Sequence, residues 1–154
     1  MKILLIEDDD DKLRHVLAFL ESRYPTDEIV VRRSFQSGLK ELVVAGANVV
    51  ILDMTMPNYD VATRDTGGRE RRYAGVEILR QMRRRSRFFP TIVLTQYEQF
   101  EEEGREVTLH ELSAQLLSDF EEFLIGTVFY DASGSLWMDE LSLRIDRIRA
   151  SMND

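Results

Sequence analysis

Residues 2–6 (KILLI) form a short unbroken apolar run that gives way at once to Glu7, Asp8, Asp9, Asp10 and Asp11. A run of this kind, with no polar alternation, predicts a strand covered on both faces. Leu13, Val16, Leu17 and Leu20 then recur at helical spacing, which predicts a helix over about 11–23 that ends before Pro25. Residues 28–32 suggest a second strand. Ser34 suits the N-cap of a helix that runs to Ala45 and is stopped by Gly46. Residues 48–54 (NVVILDM) predict a third strand, central in its sheet. Val76, Leu79 and Met82 predict a helix over 75–85, and residues 91–95 (TIVLT) a fourth buried strand entered through Pro90. Thr108 with Glu111 fits a capping box, and Leu109, Leu112, Leu116, Phe120, Phe123 and Leu124 draw a long apolar stripe behind it. Residues 127–130 predict a fifth strand. Trp137, Leu141, Ile145 and Ile148 predict a closing helix.

Strands alternating with helices imply an α/β fold: a doubly wound parallel sheet of five strands with helices on both faces. We expect a single domain over residues 1–154. Two stretches fall outside the alternation. Residues 61–74 (VATRDTGGRERRYA) read as a polar inserted loop of 14 residues after the third strand. Residues 96–107 (QYEQFEEEGREV) read as an irregular patch, opening an extended segment that reaches about 125.

Composition narrows the function classes. The 154 residues are 44% hydrophobic and 31% charged, the balance of an ordinary globular protein. No cysteine is present, which excludes disulfides, thiolate zinc sites and thiol nucleophiles. The apolar start is too short for a signal peptide, and no run approaches the roughly 20 apolar residues needed to span a bilayer. The expected location is the cytoplasm, with no membrane partner. A net charge of −8 argues against nucleic acid as a partner, because phosphate contacts need cations. That charge is unevenly spread. Residues 64–87 hold nine Arg against Asp65, Glu70 and Glu77, whereas residues 98–122 hold nine acids against Arg105. Only three lysines occur: Lys2, Lys12 and Lys40.

In a doubly wound sheet, ligands bind beyond the carboxyl ends of the strands. The first strand ends in Glu7, Asp8 and Asp9, and the third carries Asp53. If these strands are neighbours, three or more carboxylates share one crevice, and like charges that close need a cation. An oxygen-only ligand set points to Mg2+. An Asp beside Mg2+ is a plausible phosphoryl acceptor, and Thr95, at the end of the fourth strand, could hydrogen-bond a phosphoryl oxygen. Taken singly, the acids read as helix caps or loop residues, and Asp53 reads equally as a turn residue before Pro57. Their joint placement at strand ends carries the weight.

With KILLIEDDD, VVILDMTMP, GVEILRQMR and TIVLT in this order, the chain resembles the receiver domain of two-component response regulators. The resemblance covers most of residues 1–95 outside the insertion and is weaker beyond. It implies the flavodoxin-like strand order 2-1-3-4-5. Asp53, in the Leu-Asp-x-x-Met-Pro pattern, would accept a phosphoryl group. Glu7, Asp8, the Asp53 side chain and the Thr55 backbone carbonyl would hold Mg2+, with the choice of pair among Glu7, Asp8 and Asp9 left open. Thr95 would supply the switch hydroxyl, and Phe129 or Tyr130 the aromatic that reports the switch. The implied partners are a histidine kinase or phosphotransfer protein and an effector protein, with a second copy of the chain as a further candidate. No activity beyond self-phosphorylation and autodephosphorylation at Asp53 is implied, so the chain reads as a signalling module rather than an enzyme.

The departures from that family also carry information. The family places a lysine at the end of its fifth strand, against the phosphoryl group. Here that region reads TVFYDASGSLW, no lysine follows Lys40, and Asp131 adds negative charge nearby. Arg69 of the insertion could substitute. The alternative function is a degenerate receiver that binds protein without phosphorylation. A dehalogenase-like hydrolase would need a second Asp where Thr55 stands. His15 and His110 read as solvated helix residues, Arg83, Arg84 and Arg85 as a solvated helix end, and Trp137 and Phe120 as core.

Overall fold

The computed structural model describes residues 1–60, 70–71 and 73–154; the remainder of the insertion expected over 61–74, Arg69 included, lies outside the described residues. The central sheet has five parallel strands: β1 (Lys2–Ile6), β2 (Glu28–Arg32), β3 (Val49–Leu52), β6 (Thr91–Thr95) and β9 (Leu124–Phe129). Their spatial order is β2-β1-β3-β6-β9. Counted within this sheet alone, that is the expected 2-1-3-4-5. Among the described residues, two further strand pairs are antiparallel: β4 (Met56–Pro57) with β5 (Glu70–Arg71), and β7 (Gln99–Glu102) with β8 (Arg105–Thr108).

Among the described residues, five helices cover the sheet: α1 (Asp10–Arg23), α2 (Phe35–Val44), α3 (Ala74–Arg84), α4 (Leu109–Asp119) and α5 (Leu136–Met152). The continuous apolar strands explain the two layers. Along β1, Ile3 and Leu5 join Leu13, Val16 and Leu20 of α1 and Leu141 and Ile145 of α5 in one core. Leu4 and Ile6 face the other way, into a second core with Leu42 of α2, Ile78 and Leu79 of α3 and Leu112 of α4. Period-two alternation thus feeds both faces, and full burial of one such side chain contributes roughly 1.5–3 kcal/mol. Trp137 and Phe120 are buried in these cores.

The structure departs most from the sequence reading over residues 96–124. The patch expected to be irregular holds the β7–β8 hairpin, turned through Glu103 and Gly104, both at positive φ. Its apolar pair Phe100–Val107 is in register, and Val107 is buried. Thr108 caps α4 by accepting from the Glu111 amide at 3.1 Å. The helix ends at Asp119, however, and the apolar stripe passes through a turn at Phe120 and Phe123 into β9, which begins at Leu124. Among the described residues, no helix is long and apolar enough to cross a membrane.

Candidate phosphoryl-acceptor site

Glu7 and Asp53 are the residues immediately after β1 and β3, and pairing of Ile6 with Leu52 brings them level. The Asp53 amide also donates to the Ile6 carbonyl at 3.2 Å. Carboxylate oxygens of Glu7, Asp8 and Asp53 all lie within 4.8 Å of one another. Glu7 and Asp53 are buried, while Asp8 is half-buried. Asp9 takes a different role: its side chain caps α1, accepting from the Lys12 amide at 2.9 Å. Thr55 follows two residues after Asp53 and is half-buried. On the other side of β3, Leu52 pairs with Val93, so Thr95 ends the neighbouring strand close to this level. Thr95 is fully buried, and its hydroxyl oxygen accepts from the Tyr97 amide at 3.2 Å.

Local backbone contacts hold the acids in place. Glu7 Oε2 accepts from the amides of Asp8 and Asp9 at 3.1 and 3.2 Å. Asp53 Oδ1 accepts from the Met54 amide at 2.8 Å. Arg33 donates to the Asp8 carbonyl at 2.9 Å and pairs with the Asp10 carboxylate, which ties down the β1–α1 connection. Gly75, at the start of α3, donates its amide to the Met54 carbonyl at 3.0 Å.

The sequence reading missed the cation of the site. Lys12 is only 2% exposed. Its ammonium lies 2.5 Å from Glu7 Oε1 and 3.2 Å from Asp53 Oδ1, and it donates to the Leu94 carbonyl at 2.6 Å. No lysine stands at the end of the last strand, as the sequence reading had it, but one reaches these acids from α1. A signal was present, because Lys12, Val16 and Leu20 stand at i, i+4 and i+8 on the helix stripe that faces the sheet. The place after the last strand, where the lysine was sought, belongs to Tyr130. That side chain is buried, with its ring centroid 5.8 Å from Lys12 Nζ. His15, read as merely solvated, is exposed but shares a 2.9 Å hydrogen bond with the Tyr130 hydroxyl. Phe129 is half-buried. Asp131 is exposed and engaged in its own turn, accepting from the amide and hydroxyl of Ser133, which hold its carboxyl below the usual range.

Burial pushes the Glu7 carboxyl up to about 8; Lys12 opposes that rise, and the nearby Asp53 carboxylate adds to it. Two of the three clustered carboxylates, Glu7 and Asp53, share the Lys12 ammonium. The donor set, oxygen-only and convergent, fits a hard divalent cation such as Mg2+. Glu7, Asp8 and Asp53 are the side chains that would hold it.

A five-stranded parallel sheet in the order 2-1-3-4-5 with helices on both faces is the flavodoxin-like, CheY-type fold, and its ligands bind at the carboxyl ends of the strands. No protein-family model matches the chain. Among solved structures, it superposes on the receiver domain of the Francisella response regulator 1452 with a TM-score of 0.61 at 15% identity, covering 98% of each chain. It also superposes on the CheY-like receiver domain protein of Methanospirillum hungatei JF-1 with a TM-score of 0.61 at 16% identity, covering 99% of this chain and 96% of that one. In sequence it is 29% identical over 150 residues to the Detocs response regulatory protein DtcB of Enterobacter cloacae (strain JD6301), covering 96% of this chain and all of that protein. It is 28% identical over 152 residues to the uncharacterized protein y4jR of Sinorhizobium fredii, again covering 96% of this chain and all of that protein.

Proposed function

We propose that this chain is a cytoplasmic receiver that accepts a phosphoryl group on Asp53 from a histidine kinase or phosphotransfer protein and signals by contact with an effector protein. The observation that carries this reading is the placement of Asp53: buried at a central strand end, with Glu7 and Asp8 converging on it and Thr95 ending the adjacent strand. Similarity to a relative described as a response regulatory protein supports it. In the transfer, the N–P bond of a phosphohistidine breaks and a bond forms between phosphorus and an Asp53 carboxylate oxygen. The electron pair of the broken bond leaves with the imidazole. Mg2+, when bound by Glu7, Asp8, Asp53 and the Thr55 carbonyl, would supply positive charge against the transferring phosphoryl group. The Met54 amide orients the acceptor carboxylate, and the Thr95 hydroxyl is free to donate to a phosphoryl oxygen.

The test is incubation of the full chain with acetyl phosphate and Mg2+. A hydroxylamine-labile adduct on Asp53, absent from Asp53→Asn, is the expected result. A second reading, a phosphorylation-independent protein-binding module, draws on one observation: Lys12 already bridges Glu7 and Asp53. Absence of any adduct, together with no response to beryllofluoride, would favour it.

A further inference from the structure

Lys12 is the only buried lysine of the three in the chain, and burying an ammonium is costly unless its hydrogens and charge are used. Here all of its donors are committed within the acceptor site: to Glu7, to Asp53 and to the Leu94 carbonyl one residue before Thr95. Tyr130 fills the end of the last strand beside it. We propose that Lys12, delivered from α1, is the phosphoryl-binding cation of this receiver. The inference rests on Asp53 being the acceptor.

The physical case is one of charge and reach. When the Oδ–P bond forms, the carboxylate's negative charge is replaced by the greater charge of the phosphoryl oxygens, displaced outward from Asp53. An ammonium is a compact charge with three rotatable donors on a flexible stem, so Lys12 can exchange its 3.2 Å contact with Oδ1 for a phosphoryl oxygen. It can do so while keeping Glu7 and Leu94. The second of these contacts links the phosphoryl group to the strand end that carries Thr95.

The test is beryllofluoride binding with saturating Mg2+, followed by the fluorescence of Trp137, the sole tryptophan, whose ring lies 5.0 Å from that of Tyr130. Lys12→Met and Lys12→Gln should each bind beryllofluoride about tenfold or more weakly, the size of a lost charge-assisted hydrogen bond. Both variants should bind Mg2+ alone at least as tightly as the wild type, because a competing cation is gone. In the wild type, the Lys12 ammonium 15N resonance should shift on beryllofluoride addition while those of Lys2 and Lys40 stay in place. Equal beryllofluoride affinity in variants and wild type, or an unmoved Lys12 resonance, would overturn the proposal and leave Lys12 a counterion only. The resonance decides the matter if neither variant folds. Failure of the wild type itself to bind beryllofluoride is a different result: it removes the receiver reading, and this inference with it.

Discussion

A β-carbon on Gly75 would stand 2.4 Å from the carbonyl oxygen of Asp53. The start of α3 therefore touches the backbone of the proposed acceptor, and only glycine permits that approach. Gly75→Ala must push either the β3 end or the helix aside. We expect it to lower stability by about 1–3 kcal/mol in denaturant unfolding, as overpacking does, and to weaken Mg2+ binding as well. Gly38→Ala is the control, since a β-carbon there would meet only side-chain atoms of Ile6. It should leave Mg2+ binding unchanged.

Glu7 gives the site a pH dependence of definite sign. Its folded carboxyl titrates near 8, above the ordinary 4.5. A raised folded value means that the protonated form favours folding. The contribution is complete below about 4.5 and is lost as pH rises through about 8. Metal-free protein should thus lose stability over that window. Glu7→Gln should flatten the loss, as read from melting temperature against pH. A slope of the same size in Glu7→Gln would assign the effect to other groups.

Mg2+ should raise the melting temperature, and the rise should grow with pH because metal binding requires Glu7 to shed its proton. At a hundredfold excess over Kd the stabilisation is about 2.7 kcal/mol. Asp8→Ala removes a half-buried ligand without exposing core, so it should retain the fold while losing most of the rise. Chelation should return the wild type to its metal-free melting point. A melting temperature indifferent to Mg2+ at every pH would contradict the proposed ligand set.

Asp53→Asn tests the coupling between the two buried acids. Removing the Asp53 charge withdraws one influence that raises Glu7 while leaving Lys12 in place. Glu7 should then titrate lower, and the pH window of stability loss should move toward acid. Carbonyl-detected NMR of the Glu7 side chain measures this directly; an unmoved titration would separate the two groups electrostatically.

The strands of the central sheet were legible because Ile3–Ile6 and Val49–Leu52 are buried on both faces and carry no polar residue, and Thr91–Thr95 is broken only by β-branched threonines at its two ends. The pairing of β1 with β3 followed from the resemblance, and with it the meeting of Glu7, Asp8 and Asp53. The β7–β8 hairpin was not legible, since most of its positions are exposed and polar and only Phe100 and Val107 mark an inner face. The start of β9 was hidden because Phe123 and Leu124 continue the apolar spacing of α4 past the point where Phe120 caps it. Lys12 was passed over for a different reason. Five acids, Glu7 to Asp11, precede it, and a lysine after such a run reads as surface, whereas its side chain bonds Leu94, 82 residues away along the chain.

That reach has a wider meaning for how such chains are recognised. An ammonium on a four-carbon stem can enter a crevice through any of its walls, so what the chemistry requires is a point in space, not a column in an aligned sequence. A filter that demands a basic residue after the final strand would discard this protein as inert. One that asks which walls of the pocket could deliver a cation would keep it.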